Sequence, residues 1–163
     1  MIRLKNLSSE EEDEKAIAYI KKHKKELCEY FASDEIYSSF EKPTSIFMAG
    51  TPGAGKTETA ISLNTELNTP AVHIDADSIK AWIPEYTGKK SFVFQGASAI
   101  GVDILYGHIL KKNKSVILDA TFANYEKAHQ NVWRSVKRDR PTQIFYVYQD
   151  FDLSWQFTIA REK

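Results

Sequence analysis

Gly50-Thr51-Pro52-Gly53-Ala54-Gly55-Lys56-Thr57 matches the phosphate-binding loop G-x-x-x-x-G-K-[ST] at every fixed position. Its setting is also the required one. Ser45 to Ala49 reads as a short buried strand, and Thr57 to Leu67 reads as a helix with Ala60, Ile61, Leu63 and Leu67 available to pack. Glycines let such a loop curl until successive N–H groups point at a phosphate chain on the helix N-terminus. In that geometry Lys56 bridges the β- and γ-phosphates and the Thr57 hydroxyl holds Mg²⁺. The motif marks a nucleotide-phosphate site.

Working outward, a chain of 163 residues is of single-domain size, so one domain is expected over 1–163. The hydrophobic share of 42% suffices for a core. No stretch approaches the ~18 apolar residues of a membrane span. Met1-Ile2-Arg3-Leu4-Lys5 is followed by an acidic run, not the apolar run of a signal peptide. Lys and Arg total 22 and Asp and Glu total 22, a formal net charge of zero. That balance favours neither nucleic acid nor membrane as a partner. Cys28 is the only cysteine, which fits a reducing cytoplasm, and it is expected to pack in a helix.

Ser9 with Glu12 fits a capping box, and apolar residues from Ala16 to Phe31 follow at near-helical spacing. The spacing predicts one amphipathic helix over about 9–32 in an N-terminal segment reaching 40, with Pro43 breaking the chain before the first strand. Further strands are expected at Ala71–Asp75, Ser115–Asp119 and Gln143–Tyr148. Helices are expected at Phe92–Leu110, Tyr125–Lys137 and Leu153–Lys163. Alternation of this kind gives an α/β fold, a parallel sheet with helices on both faces. Ligands of such sheets lie outside the carboxyl ends of the strands.

Two strand ends carry carboxylates. After the second stands Asp75-Ala76-Asp77, where Asp77 is placed to take the proton of an attacking hydroxyl, or either aspartate caps the next helix. After the third stands Asp119-Ala120-Thr121, with Asp119 orienting Mg²⁺ or substrate, or paired locally. Arg161 is either a lid arginine for the transferring phosphoryl group or a solvated residue compensating a helix dipole. The Lys111, Lys112, Lys114 and Arg134, Lys137, Arg138, Arg140 groups read as solvated helix caps. His73 reads as a packed histidine, and Phe145-Tyr146-Val147-Tyr148 as strand core and edge. No His/Cys cluster has metal-ligand spacing.

The sequence resembles the zeta toxin family of P-loop kinases. The resembling stretches are Phe47 to Glu58, His73 to Ile79, Val116 to Phe122, Ile144 to Tyr148, and Trp155 with Ala160-Arg161-Glu162, which together cover most of 46–163. The resemblance implies a nucleotide site at Gly50, Thr51, Pro52, Gly53, Ala54, Gly55, Lys56, Thr57 and Glu58, with ATP and Mg²⁺ as cofactors. It implies Asp77, 21 residues beyond Lys56, as general base, and Lys56 and Arg161 holding the transferring phosphate. Asp119 and Thr121, with Asp77, would contact the substrate.

The activity implied is phosphorylation of a hydroxyl on a nucleotide sugar such as UDP-N-acetylglucosamine, in the cytoplasm, with an antitoxin as possible partner. Members active on that sugar tend to carry an arginine where this chain has Ala123, so another small hydroxyl compound, an antibiotic or a nucleoside, is the alternative acceptor. The family's lid usually extends past the Arg161 region, and on that comparison the lid region is expected to be incomplete at Lys163. A catalytically impaired nucleotide-binding interaction module is the alternative of a different class. No guanine-specifying N-K-x-D occurs, which leaves base preference open.

Overall fold

Ser45–Ala49 (β1) is buried at all five positions, as expected for a parallel strand covered on both faces. The computed structural model describes residues 9–67, 69–120 and 122–161. Within them β1 pairs in parallel with Val116–Asp119 (β3) on one side and Thr142–Tyr146 (β4) on the other, while Val72–Asp75 (β2) pairs in parallel with β3. The strand order is β2-β3-β1-β4. The expected α/β parallel sheet is therefore the one observed.

Alternation along the strands divides the core. Phe47, Val116, Leu118, Val72 and Ile74 face one side, with buried residues from the N-terminal helices and from Gln95–Lys111 (α5). Ile46, Met48 and Ile117 face the other, against Ala60 of Lys56–Glu66 (α3). Ile61, expected to pack, is 55% exposed: α3 uses the small Ala60 for close approach and turns Ile61 outward.

The single helix expected over 9–32 is two, Ser9–Lys22 (α1) and Lys24–Ala32 (α2), separated at His23. Backbone bonds still cross the break, from His23 N–H to Tyr19 O and from Leu27 N–H to His23 O. Lys21, Lys22, Lys24 and Lys25 put like charges at three- and four-residue spacings there, which disfavours an undisturbed turn. Ser9, expected as the cap, is helical within α1, and the residues before it lie outside the described ones.

Two basic residues expected in water are buried. Lys114 is fully buried, donates to the Ala32 carbonyl at the end of α2, and pairs with Asp34 at 2.7 Å. It thereby satisfies a helix-terminal carbonyl that would otherwise lack a partner. Arg140 donates through Nε to Ser45 Oγ at 2.9 Å and through Nη2 to the Lys114 carbonyl. Ser135 Oγ donates to the same Ser45 hydroxyl at 2.8 Å, and Tyr106 lies 2.7 Å from Ser135. These groups form a buried polar network tying β1 to Tyr125–Val136 (α6).

Ser91–Lys111 holds no run of ~18 apolar residues, but by length and mean hydropathy alone it is apolar enough to cross a membrane. In the fold it is a short 3-10 turn, Ser91–Phe94, followed by α5, which packs against α1, α2 and Ala76–Trp82 (α4) and buries Ala97, Leu105 and Ile109. The last described element is Phe151–Arg161 (α7).

Candidate active site

The loop between β1 and α3 is shaped by its glycines. Gly53 has φ +75° and Gly55 φ +88°, values that L side chains rarely adopt. A Cβ at Gly53 would also collide with the Ser154 carbonyl of α7. Gly55 is the N-cap of α3 and offers no side-chain acceptor to the first turn. Such a helix start is suited to an anion. The Lys56 ammonium lies over this loop and donates to the Thr51 carbonyl at 2.8 Å.

Thr57 follows, and its hydroxyl donates to Asp119 Oδ2 at 2.7 Å. The sheet register explains the meeting: Met48, two residues before the loop, is the β3 partner of Asp119. The Asp119 side chain is 6% exposed, and His73 Nε2 lies 3.8 Å from the same oxygen. Burial pushes the Asp119 carboxyl up, but His73, the Thr57 hydroxyl and the Lys56 charge outweigh it and hold it below the ordinary carboxylate value. At 3.8 Å the His73 contact is a proximity rather than a hydrogen bond, so Thr57 is the firmer partner. His73 Nε2 itself is buried and, among the described residues, has no hydrogen-bond partner.

The two aspartates after β2 divide the roles left open by the sequence. Asp75 is the N-cap of α4, its carboxylate accepting from the N–H of Asp77 and of Ser78 and from the Ser78 hydroxyl at 2.8 Å. Asp77 lies in the first turn with its side chain 80% exposed, and its Oδ1 accepts from Lys80 Nζ at 2.9 Å.

A cleft of about 1320 Å³ gathers these groups. Lys56, Thr57, Asp77 and Asp119 line it, and so do Lys90, Ser91, Phe92 and Gln95. Lys80 was not singled out from the sequence, although its place three residues after Asp77 was the available signal. Thr158 of α7 also lines the cleft, and Arg161 lies three residues further along the same helix. The Arg161 side chain and Thr121 lie outside the described residues. Phe122, next to Thr121, holds φ +58° while packing on Phe47 at 6.1 Å, a strained bend of the kind that gathers at functional sites.

The oxygen donors Thr57 and Asp119 suit a hard cation such as Mg²⁺, which takes few protein ligands and completes its shell with phosphates and water. Among the described residues no group of three or more His, Cys, Asp or Glu could hold a metal, so a dedicated all-protein cage is not what this cleft offers.

The zeta toxin family model matches residues 28–163. No match is found among curated proteins. Among solved structures, a chain of the PezAT chromosomal toxin-antitoxin system of the human pathogen Streptococcus pneumoniae superposes with a TM-score of 0.73 at 20% identity, over 95% of this chain and 64% of that one. A chain of the AvrRxo1-ORF1:-ORF2 complex superposes with a TM-score of 0.53 at 15% identity, over 89% of this chain and 47% of that one. At these identities the likeness is one of fold. The chain spans less than two thirds of either structure.

Proposed function

The chain belongs to the zeta toxin family, and from that premise we propose that it is a Mg²⁺-dependent kinase moving the γ-phosphoryl group of ATP to a hydroxyl of a small molecule. The observation that carries the reading is the single cleft lined by Lys56, Thr57, Asp119 and Asp77. A phosphate-binding helix start and an exposed carboxylate thereby share one space.

In this mechanism the loop N–H groups and Lys56 hold the β- and γ-phosphates. Thr57 and Asp119 would hold Mg²⁺, which when bound neutralises charge on those phosphates. Asp77 accepts the acceptor's hydroxyl proton. The hydroxyl oxygen bonds to the γ-phosphorus, and the bond to the bridging oxygen of ADP breaks. Arg161, at the end of α7, stabilises the charge spread over the equatorial oxygens.

The acceptor proposed is a nucleotide sugar such as UDP-N-acetylglucosamine, by family likeness. Ala123, where members active on that sugar tend to carry arginine, favours a different small hydroxyl compound as the second choice. An antitoxin partner is part of the proposal, supported by a structural relative from a toxin-antitoxin system. A cytoplasmic setting agrees with the single, buried cysteine.

The test is ATP consumption against a panel of nucleotide sugars, nucleosides and aminoglycosides. ADP release matched one-to-one by a phosphorylated acceptor is the expected result. ATP binding with no transfer to any hydroxyl would assign the chain to nucleotide-binding interaction modules instead.

A further inference from the structure

Lys80 is a lysine with almost no access to water, 6% exposed, lying on α4 three residues after Asp77. Its ammonium donates to Asp77 Oδ1 at 2.9 Å and to Ser91 Oγ at 3.0 Å. Ser91 opens a 3-10 turn that also lines the cleft, so Lys80 spans from the candidate base to that turn. As a stabilising device the arrangement is poor. Burying an ammonium is costly, and its anionic partner is 80% exposed, where ion pairing gains little. An apolar residue would fill the same place at lower cost. What the lysine does supply is a fixed point for a carboxylate that water would otherwise leave free to change rotamer. One Asp77 oxygen is held, and the other is left to take a proton.

We infer that Lys80 is the positioning residue for Asp77, setting the carboxylate where an acceptor hydroxyl can reach it. The inference rests on Asp77 being the base. Misplacement of a reacting group by about 1 Å can cost on the order of 10²-fold in rate, and that is the scale expected here.

The test compares Lys80→Met, Lys80→Arg, Asp77→Asn and the Lys80→Met/Asp77→Asn pair. Three quantities are read: transfer from saturating Mg-ATP to UDP-N-acetylglucosamine, or to the best acceptor of the panel; ATP affinity by calorimetry; and the urea midpoint. Lys80→Met is expected to keep ATP affinity and a urea midpoint at least as high as the parent while kcat falls on the order of 10²-fold. Lys80→Arg restores most of the rate. In the Asp77→Asn background the Lys80 change makes no further difference, because the group it positions is already disabled. A residue with only a structural role would lower stability and rate together and in either background.

Full turnover by Lys80→Met, or a loss that adds in full to that of Asp77→Asn, overturns the inference while leaving Asp77 as base. Wild-type turnover by Asp77→Asn instead overturns the base assignment and the inference with it. Lys80→Leu, which likewise removes the donor to Asp77, repeats the comparison should methionine disturb the helix.

Discussion

The Thr57 hydroxyl and the Asp119 carboxylate are joined by a 2.7 Å hydrogen bond between groups 62 residues apart in sequence. The bond ties the first turn after the phosphate loop to the end of the neighbouring strand, and it fixes the two oxygens proposed for Mg²⁺. Asp119→Asn is expected to lower Mg-dependent ATP affinity by roughly 10- to 100-fold and to change metal-free ATP binding little. Titration of ATP with and without magnesium separates the two effects. Equal loss in both would place Asp119 on the nucleotide rather than the metal.

Lys56→Ala is expected to weaken ATP binding sharply and leave the fold intact, because its ammonium reaches a loop carbonyl and its side chain is no part of either core cluster. Calorimetry gives the affinity and circular dichroism the fold. Unchanged affinity in a folded variant would remove the phosphate-site assignment.

The Asp34 carboxyl is held down to about 2 by hydrogen bonds from Lys114 and then Lys112. A carboxyl lowered in the folded state stabilises above its unfolded value of roughly 3.9, and that stability is lost as pH falls toward the folded value. Asp34→Asn should therefore be less stable than the parent at pH 7, with the difference closing between about pH 4 and pH 2. Because Asp34 is exposed, added salt should shrink the difference at every pH. Urea midpoints at three pH values provide the check.

β4 forms an outer edge of the sheet, and Ile144 and Tyr146, alternating on one face, are 53% and 68% exposed. An apolar edge of this kind invites pairing with another copy. Ile144→Lys and Tyr146→Lys are expected to reduce self-association in light scattering at no cost in urea midpoint. Identical scattering by the parent and both variants would show that the edge does not drive association.

Much of this was legible in the sequence for a physical reason. A parallel strand covered on both faces is apolar over most of its length, so Ser45–Ala49 and Val116–Asp119 announced themselves, and the glycine spacing of the loop has few other uses. The aspartates could be placed at strand ends but not told apart: which one caps α4 depends on side-chain geometry that Asp75-Ala76-Asp77 does not encode. Lys80, Lys114 and Arg140 were harder still. Charge reads as exposure in a sequence, and these three are buried by partners supplied from distant segments: Ser91 for Lys80, Ala32 for Lys114, Ser45 for Arg140. The break at His23 was likewise hidden, since the apolar spacing continues across it.

The most direct measurement of the central claim is transfer of labelled γ-phosphate from ATP to a hydroxyl acceptor by the parent and by Asp77→Asn, with ATP affinity taken on the same samples. The amide keeps the shape of the carboxylate but cannot accept the proton, and general-base contributions run at roughly 10²–10⁴-fold. With Asp77 as the base, ATP affinity stays unchanged while kcat and kcat/KM fall together. Loss of ATP binding in step with transfer, or transfer undiminished by the substitution, would contradict that assignment.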